Sequence, residues 1–467
     1  MEPTSIENTL AAELAERLEG DVVAPGDGGY DDARRVWNGI VDRRPALIAR
    51  CRSTKDVAAA IRFAGERGIP LTVRGGGHNV AGSAVADGAL AVDLSPMRVV
   101  TVDPARRTAR VQGGARWADV DAATQAHGLV APGGVVSDTG VAGLTLNGGV
   151  SWHRRKHGMT IDNLVAAEVV TADGDVVRAS AHENTDLLWA LRGGGGSFGA
   201  VTEFEFRLHE LGPEIAFLYT AYPAERAAEV FRAYRDLVAG AADELTVDFG
   251  IEHFQPDPEL PPELHGRLYA GVFGMYAGPV EEGLRALQPF RELAEPILDA
   301  TGPYPFVGVQ TMLDPKFPAG VRRYWKALYL DDLGDDAIEA IVQRSIAMPS
   351  EATLVFMRHL GGAMARVPSG ATAFGDRRPE FMLSIDSSWH DAADDDENIA
   401  WTREFWSALE PLSRGRTYFN FPGTHEEGEA ALRASYGANY DRLVDVKTKW
   451  DPRNVFHTGQ NVRPRAA

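Results

Sequence analysis

Residues 73–82 read VRGGGHNVAG, and three consecutive glycines met at once by a histidine restrict this chain more than any other feature in it. A run without side chains adds nothing to packing and loses much conformational entropy on folding. It therefore belongs where a backbone must take unusual dihedrals or lie close against something flat or anionic. The apolar LTV before it reads as a strand, so Gly75, Gly76 and Gly77 form the loop that leaves it. Taken alone, the stretch fits equally well a surface turn with an incidental polar His78.

The segments around it alternate. A helix is expected in TLAAELAERL, a strand in ALIARC, a helix in STKDVAAAIRFAGERG and a strand in LTV, a βαβ start. Strands follow in ALAVDL and RVVTVD, a helix in WADVDAATQAHG, and a hairpin in AEVVTADGDVVRA turning at Asp173-Gly174. The helix NTDLLWALRG and the strand VTEFEFRL end this region, and Gly212-Pro213 marks a boundary. Beyond it the strands EIAFLYTAY, LTVDFGIEHF, RLYAGVFGMY, TLVFMRHLGG and EFMLSIDSSW, with helices between, suggest an antiparallel sheet covered by helices. The fold class expected is α+β.

Composition sets the outer limits. The 467 residues, 44% of them apolar, suffice for a large core spread over about three domain-sized units or fewer larger ones. Lysine and arginine number 47 against 66 acidic residues, and the net charge of -19 argues against a nucleic-acid binder or a protein of anionic membranes. Cys51, the single cysteine, excludes an intrachain disulfide and a cysteine-based zinc site; within ALIARC it reads as a buried thiol. The start, MEPTSIENTLAAELAERL, lacks the charged and apolar parts of a signal peptide, and a reducing cytoplasm is the expected compartment. The acidic run HDAADDDEN at 390–398 reads as a solvated loop, and the basic HRRKHG at 153–158 as a surface loop.

Several catalytic patterns fail on context. RGGGGSFG holds a formal G-x-G-x-x-G at Gly194, Gly196 and Gly199, but a helix precedes and a strand follows it, the reverse of a Rossmann loop. His182-Glu183 lacks a second histidine at helical spacing, and no metal site is expected. A second glycine-rich stretch, PGGVVSDTGVAGLTLNGGVSW at 132–152, offers many main-chain N–H donors and little bulk. It could lie along a pyrophosphate and ribityl chain, or pack as a glycine-rich crossover.

The order and wording of these pieces resemble FAD-linked oxidases of the vanillyl-alcohol-oxidase superfamily, in the branch of berberine bridge enzyme and 6-hydroxy-D-nicotine oxidase. The segments that carry the resemblance are YDDARRVWNGIVDRRPALIARC, TVRGGGHNVAG, VVSDTGVAGLTLNGGVSWHRRKHGMTIDNL, ENTDLLWALRGGGGSFGAVTEF and SYGANYDRLVDVKTKWDPRNVFHTGQNVRP. They span most of residues 30–210 and the last fifty. The resemblance implies a two-subdomain FAD-binding domain of the PCMH type over 1–211, an inserted substrate domain over 212–415, and a closing segment over 416–467 that returns to the flavin.

It further implies a covalent bond from the His78 ring to the flavin. Arg74, Gly75, Gly76, Gly77, Asn79, Gly134, Thr139, Gly140, Gly143, Thr145, Gly148, Gly149, Asp162, Asn163, Val201 and Asn461 fall in segments similar to the family's FAD-contacting loops. Where some relatives carry a second, cysteinyl link this chain has Val136, so a single link is expected. TYFNF matches a Tyr-x-Asn pattern that puts Tyr418 and Asn420 near the isoalloxazine, with Tyr418 as a base; Asp138 is a further catalytic candidate. Trp152 and Arg358, His359 or Asp386 could face the substrate, and strand alternation lets only one of Arg358 and His359 do so. The expected activity is hydride transfer from an alcohol, amine or phenolic, polyketide-like secondary metabolite to FAD, with O2 as acceptor and H2O2 released. An oxygenase or oxidative cyclase, and a non-catalytic flavin carrier, are the alternatives.

Overall fold

The computed structural model describes residues 5–258, 260–423 and 428–466. Three large sheets organise the described residues, besides a two-stranded pairing of His209–Glu210 with Leu129–Val130. In the first, strands Leu47–Arg50, Leu90–Asp93 and Leu71–Arg74 run parallel in that order, and Asp21–Val23 pairs antiparallel with Leu47–Arg50. The helix Thr54–Arg67 makes the expected crossover; Ser53 caps its start by accepting from the Asp56 N–H, and Gly68 ends it in the left-handed region. Leu71–Arg74 is thus an edge strand, which frees the glycine loop beyond it to serve as a wall.

The second sheet is antiparallel, with Ala200–Arg207 between Thr108–Gln112 and Leu164–Val170 and with Val100–Asp103 and Val176–Ser180 outside them. The glycine run 193–199 links the helix Thr185–Leu191 to that central strand, so the helix-then-strand order that excluded a Rossmann loop is the one found.

The third sheet begins at Glu214, and all its pairs are antiparallel. Its helix-covered face buries Val247, Phe249 and Ile251 against Val230, Phe231, Ile338, Ile341 and Phe405. The opposite face, with Phe217, Phe273, Trp325, Leu354 and Phe356, packs toward Trp37, Val80, Val136 and Trp152 of the first two hundred residues. One strand, Arg322–Leu330, carries no readable apolar alternation because Arg323 and Lys326 interrupt it; Lys326 lies 4.4 Å over the Trp406 ring.

Two charge runs differ from the sequence reading. The acidic 390–398 is not a loop: Asp395 opens the helix Asp395–Ser413, accepts from Trp389 Nε1 at 2.7 Å and pairs with Arg322. Carboxylates in a first helical turn meet the positive end of the helix dipole. The basic 153–158 is not surface either. Arg154 is 0% exposed, pairs with Asp248 at 1% exposed, and donates to the His359 carbonyl at 3.0 Å; Arg155 donates to Leu245 O at 3.0 Å. These arginines bolt the segment 153–158 to the third sheet.

The last fifty residues return to the first half. Phe419, Leu432, Tyr436, Leu443 and Val446 share a core with Phe204, Phe206, Leu187 and Trp189. Lys447, fully buried, donates to Ser197 O at 2.7 Å, Phe456 O at 2.8 Å and Asp451 at 2.6 Å. Cys51 is buried, and desolvation pushes its thiol far above the ordinary range. Among the described residues no helix is long and apolar enough to cross a membrane.

Removing one partner of a buried ion pair strands the other charge. Asp248→Ala is expected to lower stability by about 3–5 kcal/mol. The double variant Arg154→Met/Asp248→Leu should lose less, and guanidinium denaturation midpoints of both proteins check this.

Candidate active site

The two glycine-rich stretches meet back to back. A Cβ on Gly76 would lie 2.5 Å from Gly140 Cα, and one on Gly140 would lie 2.4 Å from the Gly76 nitrogen, so neither position can carry a side chain. Gly77 has φ +67°, a left-handed conformation that glycine adopts without strain. Its carbonyl accepts from the Trp37 N–H at 3.0 Å, which fixes how His78 leaves the loop.

A cavity of about 700 Å³ opens over this junction, within the range of small-molecule and cofactor sites. Gly75–Val80, Gly134–Val136, Thr139, Gly140, Gly143, Gly196, Ser197, Gly199–Val201 and Phe456–Gln460, apart from His457, line one side. Phe217, Phe273, Trp325, Leu354, Phe356, Arg358, Asp386 and others from the third sheet line the other. A Cβ at Gly143 or Gly196 would meet nothing within 4 Å, so glycine there leaves room above the main chain. His78 Nε2 is buried with no protein partner. Bare main chain, open space and a partnerless ring nitrogen are what a flat, phosphate-bearing cofactor requires, and FAD fits them.

His78 ends a stack. Its ring lies 3.9 Å from Trp37 at 20°, and the Arg323 guanidinium sits 3.8 Å over the Trp37 ring. Arg323 is buried and its guanidinium donates to the Pro318 and Val321 carbonyls; burial brings it down to about 9. Burial first, then the nearby Arg323 charge, takes His78 down to about 3, so its imidazole is neutral at physiological pH.

Across the cavity Tyr418 and Asn420 stand together. The Tyr418 hydroxyl accepts from the Gly149 N–H at 3.0 Å and from Asn420 Nδ2 at 2.8 Å, yet burial raises it above the usual phenol value. Arg358 donates to Ser384 Oγ at 2.6 Å, Ser384 lies 3.2 Å from Asp386 Oδ2, and Asp386 Oδ1 is buried without a partner. Burial takes Asp386 up to about 6 against the opposing pull of Arg358. Of the alternating pair, Arg358 lines the cavity; His359 does not, and its Nε2 lies 3.2 Å from Arg155.

The other candidates divide. Gly75, Gly76, Gly77, His78, Asn79, Gly134, Thr139, Gly140, Gly143, Val201, Tyr418 and Asn420 line the cavity, as does Trp152. Arg74, Thr145, Gly148, Gly149, Asp162, Asn163 and Asn461 are not on its wall. Arg74 donates to Ala33 O at 2.6 Å, Thr145 to Val141 O at 2.7 Å and Asn163 to Met159 O at 3.0 Å, while Asp162 pairs with Arg377 at 2.7 Å. Gly148 and Gly149 serve close packing under Met159 and Thr160. Asp138 is not on the wall either; it pairs with Arg116 and is 39% exposed. Sequence reading did not single out Trp37 and Arg323 as partners of His78, or Ser197 and Gln460 as wall residues; Trp37, Ser197 and Gln460 lie in segments that carry the family resemblance, whereas Arg323 has no local signal. Among the described residues no cluster could hold a metal ion.

Fold and site together define a flavoprotein. The FAD binding domain family matches residues 45–180, and the family described as berberine and berberine like matches 417–463. The FAD-linked oxidoreductase YvdP of Bacillus subtilis is 30% identical over 456 residues, 96% of this chain and 99% of that one. The chain belongs to the FAD-linked oxidoreductases and is an enzyme of that class. Also similar is (R)-6-hydroxynicotine oxidase of Paenarthrobacter nicotinovorans, 29% identical over 477 residues, 96% of this chain and 98% of the relative. Among solved structures, 6-hydroxy-D-nicotine oxidase from Arthrobacter nicotinovorans superposes with a TM-score of 0.84 at 28% identity, covering 96% and 98% of the two chains. Glucooligosaccharide oxidase from Acremonium strictum, which carries a 6-S-cysteinyl, 8α-N1-histidyl FAD, gives 0.86 at 26% identity over 99% and 100%.

The glycine contact separates two variants. Gly76→Ala should drive the loops apart and yield protein without flavin, whereas Gly143→Ala should fold normally and hold less flavin. Flavin-to-protein absorbance ratios and thermal midpoints of the two check this.

Proposed function

We propose that this protein is an FAD-dependent oxidase whose flavin is bound once, covalently, through His78, and that it oxidises an alcohol, amine or phenolic secondary metabolite. The observation that carries the reading is His78: a neutral imidazole with a partnerless Nε2, at the lip of a glycine-lined cavity. Val136 stands on the cavity wall where a second link would attach, and Cys51 is buried elsewhere, so one link is consistent with this chain. FAD, when bound, supplies a hydride acceptor that O2 reoxidises with release of H2O2.

The chain's own residues bind, orient and move the proton. Loop N–H groups around Gly75–Asn79 and Thr139–Gly143 hold the cofactor, and the third sheet closes the site from water. Two groups could take the substrate's proton. The Tyr418 hydroxyl already receives two hydrogen bonds, which would steady a phenolate, but its burial favours the protonated form. Asp386, at about 6, is ionised at neutral pH and has a free oxygen, so it is the better matched acceptor.

Denaturing electrophoresis with in-gel flavin fluorescence tests the tether: wild type should fluoresce and His78→Ala should not. Substrate-dependent oxygen consumption with stoichiometric peroxide supports the oxidase; labelled O2 appearing in product would replace it with an oxygenase. Because a raised carboxyl is charged only above its pKa, kcat/KM should fall below pH about 6, by about tenfold per pH unit. Asp386→Asn should abolish that limb; an unchanged limb assigns the proton to another group.

A further inference from the structure

Trp37 is anchored at its main chain, its indole N–H, one edge and one face. Its N–H donates to Gly77 O at 3.0 Å, and its carbonyl accepts from the Gly320 N–H at 2.9 Å. The indole Nε1–H donates to Phe317 O at 2.9 Å, the ring meets Trp325 edge-on at 5.3 Å, and the Arg323 guanidinium lies 3.8 Å over it. The next residue, Asn38, doubles the anchor: it donates to Val80 O at 2.6 Å and Arg323 O at 2.8 Å, and accepts from the Arg323 N–H at 2.9 Å. A buried aromatic plate held in this way does not turn.

Against that plate lies the His78 ring, 3.9 Å away at 20°. Two groups this close to one ring centre cannot share a face, so Arg323 and His78 sandwich the indole. His78 Nε2 makes no hydrogen bond, so nothing at that nitrogen fixes the ring, and the indole sets its plane. The last torsion of a histidine side chain is broad when free; the stack removes that freedom. Among the described residues no carboxylate pairs with the Arg323 guanidinium, and a proton on His78 would meet that cation across the indole. Neither Trp37 nor Arg323 lines the cavity, whereas His78 does. Both therefore act on a cofactor through His78.

We propose that Trp37, backed by Arg323, is the positioning residue for flavin attachment, holding the His78 ring in the one plane from which a ring nitrogen is presented to the flavin while the bond forms. The inference rests on the tethered-flavin reading. The new bond joins an imidazole nitrogen to the flavin's 8α methyl carbon. Two protons, one from that methyl and one from the imidazole, pass to the isoalloxazine with the two electrons of the broken C–H bond, and O2 reoxidises it with release of H2O2. Misplacing a reacting atom by an ångström lowers such a rate by orders of magnitude, and a ring free to rotate is misplaced most of the time.

The test separates binding from bonding. Full-length wild type, Trp37→Phe, Trp37→Leu, Arg323→Lys and Arg323→Met, made in riboflavin-starved cells, are incubated with FAD. Flavin absorbance after gel filtration reports what the native protein holds, and intact mass after denaturation reports what is bonded. All five should take up flavin natively to the same extent. Trp37→Leu and Arg323→Met should form the bond at least about tenfold more slowly, and Trp37→Phe and Arg323→Lys should restore most of the rate, because each keeps the stacking group. A damaged loop loses native flavin and the bond together, whereas loss of the bond alone marks positioning. Wild-type bonding in Trp37→Leu overturns the proposal, as does equal slowing in Trp37→Phe. If Trp37→Leu does not fold, wild-type bonding in Arg323→Met overturns it. Wild type that holds flavin natively and releases all of it on denaturation removes the tether reading itself, and the proposal with it.

Discussion

The approach of Gly76 to Gly140 is the constraint on which the rest of the molecule depends. At 2.4–2.6 Å from a hypothetical Cβ, the two loops have no room for anything but hydrogen. That contact joins the parallel first sheet to the segment that opens the helix Val141–Leu146, and it sets both loops' N–H groups along one wall. The edge position of Leu71–Arg74 makes it possible, because a central strand would have had both flanks occupied. His78 then leaves the loop toward Trp37, and its protonation state follows from what surrounds it.

Polar contacts buried between distant segments hold the cavity's two sides in register. Arg154 and Arg155 reach carbonyls and a carboxylate of the third sheet, and Asn38 is shared between Val80 O at 2.6 Å and Arg323 O at 2.8 Å. Such groups are costly to bury and depend on their geometry. They specify one arrangement of the halves where apolar packing alone would tolerate several. The hydroxyl of Tyr418 does the same locally, hydrogen-bonding Gly149 across 269 residues of chain.

Much of this was legible in the sequence where the signal is local. Glycine runs, the βαβ start, the Asp173-Gly174 turn and the alternation of VTEFEFRL each announce themselves within a dozen residues, and His78 is marked by its neighbours. What escaped reading is set by partners far along the chain. Arg323 matters because it stacks on Trp37, 286 positions earlier, and Asp386 because Arg358 of the neighbouring strand reaches it through Ser384. HRRKHG looked exposed because arginine usually is; Asp248 reverses that. The acidic 390–398 looked unstructured because a run of like charge gives no period until a helix dipole accepts it. Asp138 stands beside a glycine loop in the sequence, and its side chain turns to Arg116.

Lys447 carries a further consequence. Its ammonium clamps Ser197 of the glycine run to Phe456, and Phe456, Thr458, Gly459 and Gln460 form part of the cavity wall. During synthesis, the glycine loops of the cavity emerge hundreds of residues before the piece that completes its wall. The cavity wall is therefore complete only after Phe456–Gln460 have been made and Lys447 has drawn them to Ser197, so until then the glycine loops face an open cleft.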